Sequence, residues 1–278
     1  MPRSDAAGPA TIAQAFIRAD RDGRAALIPY AVSGYPDKET SEAICVALID
    51  AGADLLEIGL PFSDPLADGA TLQQASRAAL DAGATLARSL ATVAAVHAAR
   101  PGIPIVAMGY ANQVLGGDRW ATIERLAQAG ASGLILADLT PDEGRPLEEH
   151  ARAAGLAIVY LVTPSTSTDR LAAIAERTGG FLYAVSVAGV TGARRSLATG
   201  VERFVARVKA MTAVPVAVGF GISTPAHVAR LAPIADGVIV ASALVDALGP
   251  TGRDVDAMIG RVAGLRAATQ RQARTRSG

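Results

Sequence analysis

Cysteine is nearly absent: Cys45 is the only one in 278 residues. A single thiol forms no internal disulfide, which fits a reducing compartment. Cys45 lies in an apolar helical run with Ile44, Val46, Leu48 and Ile49, the setting of a core thiol rather than a nucleophile. There are two lysines, Lys38 and Lys209, and neither falls on a strand-like run, which disfavours a Schiff base. The three histidines, His97, His150 and His227, all sit in helical patterns. They form no cluster suited to catalytic zinc or iron. Basic and acidic residues balance at 26 against 26, so nothing in the charge points to nucleic acid or an anionic membrane. No apolar run reaches the roughly 18 unbroken residues of a spanning helix, and the opening MPRSDAAGPA lacks an apolar signal core. The expectation is a soluble cytoplasmic chain without metal.

What is there is a repeat. Half of the residues are apolar, enough for a large core. Short β-rich runs recur at Ala25–Ser33, Asp54–Gly59, Ile103–Tyr110, Gly133–Ala137, Ala157–Val162, Phe181–Val185, Val214–Val218 and Gly237–Val240. Each is almost continuously apolar, as expected of parallel strands buried on both faces. Helical patterns such as Ser41–Ala51, Leu86–Ala99, Ile123–Ala129, Arg170–Arg177 and Val201–Met211 lie between them. Such an alternation over about 250 residues predicts an α/β fold, a (β/α)8 TIM barrel in a single domain with an extra N-terminal helix. A doubly wound open sheet is the alternative, but SGYPDKE after the first strand lacks its glycine-rich turn. The expected divisions are a flexible leader over 1–9, the barrel over 10–268 and a flexible basic tail over 269–278.

Barrels of this kind carry their chemistry at the C-terminal ends of the strands. Those positions are polar here. Glu57 interrupts the apolar run Leu55, Leu56, Ile58, and the following loop holds Asp64 and Asp68. A carboxylate among aliphatic side chains is costly to bury, so desolvation should raise the Glu57 pKa and let it donate a proton near neutrality. Asp68, on a glycine-flanked polar loop, should stay ionised. Asp64 suits either a turn at Pro65 or a partner surface. The late loops SVAGVTGARR, GFGIS and ASAL bring glycines and a helix start together, as a phosphate cradle requires. Leu136, Val159, Leu161 and Phe220 could line an apolar pocket. The residues alone leave open a phosphosugar isomerase, or a barrel kept only to activate another subunit.

The segments PFSDPLADGATLQ, GVTGAR and GFGIS, in this order, resemble the alpha subunit of tryptophan synthase, and the resemblance runs from about Ala10 to Ala268. It implies retro-aldol cleavage of indole-3-glycerol phosphate to indole and glyceraldehyde 3-phosphate. In that reading Glu57 is the general acid/base, Asp68 holds the indole N–H, and Tyr183 stands beside them. Gly192, Phe220, Gly221 and Ser242 hold the phosphate, and Thr191 belongs to the closing loop. No cofactor is implied on this chain. The implied partner is a pyridoxal-phosphate beta subunit in an alpha2beta2 heterotetramer, contacted through Pro61, Asp64 and Asn112. The chain departs from the family pattern at Ala70, where proline is usual, at Ala241, where glycine commonly precedes the phosphate serine, and at Val187, where some members carry arginine. Tyr30 occupies a position that is aromatic in the family.

Overall fold

The computed structural model describes residues 7–186, 197 and 199–271. The expected strands form as β1 Ala26–Val32, β2 Leu56–Gly59, β3 Ile105–Gly109, β4 Gly133–Leu136, β5 Ala157–Val159, β6 Leu161–Val162, β7 Leu182–Val185, β8 Val216–Gly219 and β9 Gly237–Val240. All pair in parallel, in the order β5-β4-β3-β2-β1-β9-β8-β7-β6. The two ends of that order, β5 and β6, are consecutive in the chain and separated only by Tyr160. They are two halves of one barrel strand, so the sheet closes with eight staves, as the (β/α)8 pattern predicts.

Tyr160 interrupts the ladder for a traceable reason. Its N–H is taken by the Thr178 hydroxyl at 3.0 Å, while its carbonyl accepts from the Tyr183 N–H at 3.0 Å. Its side chain points outward, and its hydroxyl donates to the buried Glu148. Arg177 grips the same carboxylate at 2.7 and 3.2 Å.

The helices are α1 Ala7–Arg21, α2 Lys38–Asp50, α3 Ala70–Asp81, α4 Leu86–Ala99, α5 Ala111–Leu115, α6 Arg119–Gln128, α7 Pro141–Ala153, α8 Thr168–Arg177, α9 Val201–Lys209, α10 Pro225–Leu231, α11 Ser242–Ala247 and α12 Val255–Ala268. Side-chain caps start several of them: Asp37, Thr85, Ser167, Thr224 and Asp254 each accept a backbone N–H of the first turn. The strand alternation divides the core in two. Outward residues such as Leu56, Ile58, Leu134, Leu136 and Val218 pack under the helices with Cys45. Inward residues such as Ile28, Leu55, Val106, Ile135, Phe181 and Ile239 fill the barrel. Leu136 therefore faces the helix layer and does not line an inner pocket. Both faces of these strands are apolar, and an apolar run by itself does not show which residues turn inward.

Helix α1 closes the N-terminal end of the barrel. Ile12 and Phe16 are buried there, and the Phe16 and Phe181 rings lie 5.7 Å apart. Gly8 and Pro9 already belong to this helix. The Gly8 N–H bonds the Gly155 carbonyl at 3.0 Å, and a Cβ on Gly8 would lie 2.2 Å from the Ser132 carbonyl oxygen. Of the leader expected over 1–9, only 1–6 lies outside the described residues. At the other end Thr269 is fully buried, and Arg271 donates to Asp20 and to the carbonyls of Ala232 and Ala235. The start of the expected tail is thus held to the barrel through Thr269 and Arg271, and 272–278 lie outside the described residues.

The closed end is also pinned by charge. Buried Arg24 makes two hydrogen bonds to Asp54, at 2.5 and 2.8 Å, and Asp54 also accepts the Leu27 N–H. Asp236 takes Lys209 at 2.6 Å and the Val216 N–H at 2.8 Å. Removing one partner of a buried pair strands the other charge. Arg24→Ala is expected to cost about 3 kcal/mol of unfolding free energy, read from urea denaturation. A loss under ~1 kcal/mol would be that of a solvated pair.

Candidate active site

The opposite end of the barrel is open. Glu57 sits in β2, in register with Tyr30 of β1 and Val106 of β3, with its side chain inward. It is 1 % exposed, and its Oε2 has no hydrogen-bond partner among the described residues. Burial in this apolar interior, and then the nearby Asp68 carboxylate, push its pKa up to about 8.

Asp68 comes from the loop between β2 and α3. The chain leaves β2 at Gly59, passes Pro61 and Pro65, and re-enters helix at Ala70 with Gly69 as cap. That path turns Asp68 back over the barrel, where it is 6 % exposed. Burial raises its pKa to about 6, and a hydrogen bond from the Tyr110 hydroxyl opposes the rise. The polar loop is therefore not a solvated one at this residue, although Asp68 remains mostly ionised at neutral pH. Tyr110 follows β3 and also accepts the Ala67 N–H at 3.0 Å, while Phe62 stacks on its ring at 5.3 Å. It fixes the aspartate loop from two sides. Tyr110 stands at a polar strand end in the sequence, but nothing local ties it to a residue 42 positions earlier.

Both carboxyls face one cleft, which encloses about 510 Å³ with its open mouth included. Tyr30, Tyr183, Phe220, Gly221, Ala241 and Ser242 share its wall, with Leu72, Met108 and Ile239 as apolar lining. Of the expected apolar residues only Phe220 lines it. Leu161 instead faces an adjoining groove that shares Phe220, and Val159 packs in the barrel interior.

Tyr183 is 3 % exposed, with its ring 5.9 Å from that of Phe220. Phe220 has φ 67° and Gly221 φ 73°, so the chain turns through two left-handed residues directly after β8. Phe220 is the only non-glycine with positive φ among the described residues. The Ser186 hydroxyl donates to its carbonyl and holds that strained turn. Ser242 opens α11, and Ala241 before it has φ −118°, a conformation that does not require glycine.

Gly192 and Thr191 fall in 187–196, outside the described residues, as do Val187, Arg194 and Arg195. The three residues expected at a partner surface come together on one rim. Pro61 is buried, its carbonyl bonded to the Gln113 side chain at 2.6 Å, and Asp64 and Asn112 are exposed. Asp64 accepts the Ser63 hydroxyl at 2.6 Å, and its carbonyl takes the Leu66 N–H, so it shapes the turn as well. Among the described residues no group of three or more His, Cys, Asp or Glu is arranged to hold a metal, and no single helix is long and apolar enough to cross a membrane.

A closed barrel with two buried acids facing a cleft at its C-terminal strand ends belongs to the (β/α)8 enzymes. Comparison with known proteins narrows this. The family model described as tryptophan synthase alpha chain matches residues 16–274. The tryptophan synthase alpha chain of Roseiflexus castenholzii is 45% identical over 237 residues, 85% of this chain and 91% of that one. That of Roseiflexus sp. strain RS-1 is 44% identical over 257 residues, 92% and 98% of the two chains. Among solved structures, tryptophan synthase from Mycobacterium tuberculosis superposes with a TM-score of 0.87 at 40% identity, covering 94% of this chain and 98% of that chain. The chain belongs to the tryptophan synthase alpha chain family, which makes it a lyase of tryptophan biosynthesis.

Two predictions follow the two acids. In the native chain Glu57 keeps its proton up to about 8, whereas its ordinary value is 4.5. Between those values the native state binds the extra proton, so wild-type stability falls as pH rises. Glu57→Gln removes this dependence and should gain stability over the wild type progressively from pH 5 to pH 9, measured by urea denaturation. An equal difference at both pH values would mean that Glu57 is already ionised at the lower one. For Asp68, Tyr110→Phe deletes a donor to the charged form. The Asp68 carboxyl should then titrate above about 6, followed by carbon-13 NMR of labelled aspartate, and an unmoved titration would remove Tyr110 from its environment.

Proposed function

We propose that the chain cleaves indole-3-glycerol phosphate to indole and glyceraldehyde 3-phosphate by acid–base chemistry on Glu57 and Asp68. The observation that carries the reading is the pair of buried acids on one cleft, one holding its proton to about 8 and the other to about 6. At neutral pH one is then mainly protonated and the other mainly ionised.

Protonated Glu57 delivers its proton to indole C3, and positive charge develops at N1. Ionised Asp68 accepts the N1–H hydrogen bond and stabilises that charge. The Glu57 carboxylate then takes the proton of the hydroxyl on the chain carbon attached to C3. The O–H electrons form the aldehyde carbonyl, the C–C bond breaks, and its electrons return to the ring. Glu57 regains its proton, so the step balances without an external acid. Tyr183 packs beside this pair. Gly221, Ser242 and Phe220 form the phosphate cradle at the left-handed turn and the start of α11; the family resemblance assigns Gly192 to the same phosphate and Thr191 to the closing loop.

The reading uses no metal, Schiff base or cofactor on this chain. Lys209 is engaged by Asp236 and Lys38 lies beside Glu42, both away from the cleft. His97 packs on Gly130, His150 on Trp120, and the His227 ring accepts the Ser223 N–H. The partner is a beta subunit carrying pyridoxal phosphate, in an alpha2beta2 assembly contacted through Pro61, Asp64 and Asn112. The family of tryptophan synthases supports this, as does the superposition on the Mycobacterium tuberculosis enzyme, one structure of which is described as aminoacrylate-bound. The setting is the cytoplasm.

Indole release from indole-3-glycerol phosphate, with and without a beta subunit, tests the proposal. The wild type should release indole slowly alone and much faster with the partner. Glu57→Gln should lose at least a hundredfold, the lower range for removing a general acid. A folded wild type that releases no indole with the partner present would overturn the reading, and full activity without the partner would overturn the heterotetramer.

A further inference from the structure

Two tyrosines in the cleft are seated in the same unusual way. A Cβ placed on Gly59, at the end of β2, would lie 1.8 Å from the Tyr30 hydroxyl oxygen. A Cβ on Gly219, at the end of β8, would lie 2.3 Å from the Tyr183 hydroxyl oxygen. Each phenol crosses to the neighbouring strand and rests where a glycine leaves room. Tyr183 is already part of the proposed reaction; Tyr30 is not.

Gly59 lies two residues beyond Glu57 on the same face of β2, so the Tyr30 hydroxyl sits roughly 7 Å further along the strand toward the mouth. That is the side from which Asp68 reaches in, and both carboxylates act on the Tyr30 phenol. Among the described residues Glu57 Oε2 has no hydrogen-bond partner, and Tyr30 lines the same cleft. A phenol and a carboxyl that share a cleft wall without bonding each other are open to a third group.

We infer that the Tyr30 hydroxyl recognises a secondary hydroxyl on the polyol chain of the substrate, holding the carbon to be cleaved between Glu57 and Asp68. The inference rests on the proposed lyase reading. It makes Tyr30 a specificity residue: it selects a hydroxylated chain over a plain alkyl one, because an uncompensated buried hydroxyl penalises the ligand that leaves it unpaired.

The test is ligand binding to the full chain by calorimetry, with Glu57→Gln present to prevent turnover. Indole-3-glycerol phosphate and indole-3-propanol phosphate, which lacks both chain hydroxyls, are compared with and without Tyr30→Phe. Tyr30→Phe should weaken the glycerol ligand by roughly five- to tenfold and bind the propanol ligand at least as tightly as before, since the phenol that this ligand leaves unpaired is gone. The propanol ligand thereby reports that the pocket is intact. Equal loss for both ligands, or none for either, overturns the inference while wild-type indole release keeps the lyase reading. Absence of indole release by the wild type overturns the lyase reading itself.

Discussion

A carboxyl group whose Oε2 finds no hydrogen-bond partner among the described residues, held inside an apolar barrel and facing a second acid, is the constraint on which this structure turns. Alone, Glu57 would be a defect, since a buried carboxylate is tolerated only when paired or neutral. The fold keeps it neutral. Val106 beside it and Leu55 and Ile28 deeper in the barrel exclude water from below, and Asp68 adds a like charge from above. The same two effects that make Glu57 unfavourable for stability hold a proton ready near neutral pH. The phenols of Tyr30 and Tyr183 fit around it only because Gly59 and Gly219 carry no side chains.

The two ends of the barrel divide the labour. At the N-terminal end α1 plugs the interior, and Arg24, Asp54, Lys209 and Asp236 pin strand starts to one another. On the outer wall Glu148 ties Tyr160 to Arg177 across the split strand. At the C-terminal end polar groups are left for a ligand, and the Phe220–Gly221 turn keeps a strained backbone. A rigid lower barrel allows costly groups above it to hold their geometry without collapsing onto each other.

Much of this is legible in the residues. The eight apolar runs name the staves because a parallel strand covered on both faces must be apolar throughout. The same property hides the direction of each side chain, which is why Leu136 reads as a pocket residue and packs under the helices. Glu57 stands out because it breaks such a run. Asp68 is harder: its neighbours are loop residues, and only the path through Pro61 and Pro65 folds it under cover. Tyr110 and Tyr30 act through contacts made across strands, which a linear reading cannot supply. The break at Tyr160 depends on the Thr178 hydroxyl, 18 residues away. Gly8 packs against Ser132 and Gly155, so the first helix includes residues that the expected boundary at residue 10 leaves out.

The central claim is that Glu57 is a neutral acid at physiological pH. Infrared difference spectroscopy measures this directly, by following the protonated-carboxyl stretch against pH in the wild type and in Glu57→Gln. The account predicts a band that persists through pH 7, disappears near about 8 and is absent from the variant. A wild-type spectrum with no such band above pH 6 would show Glu57 ionised in the resting protein and contradict the account.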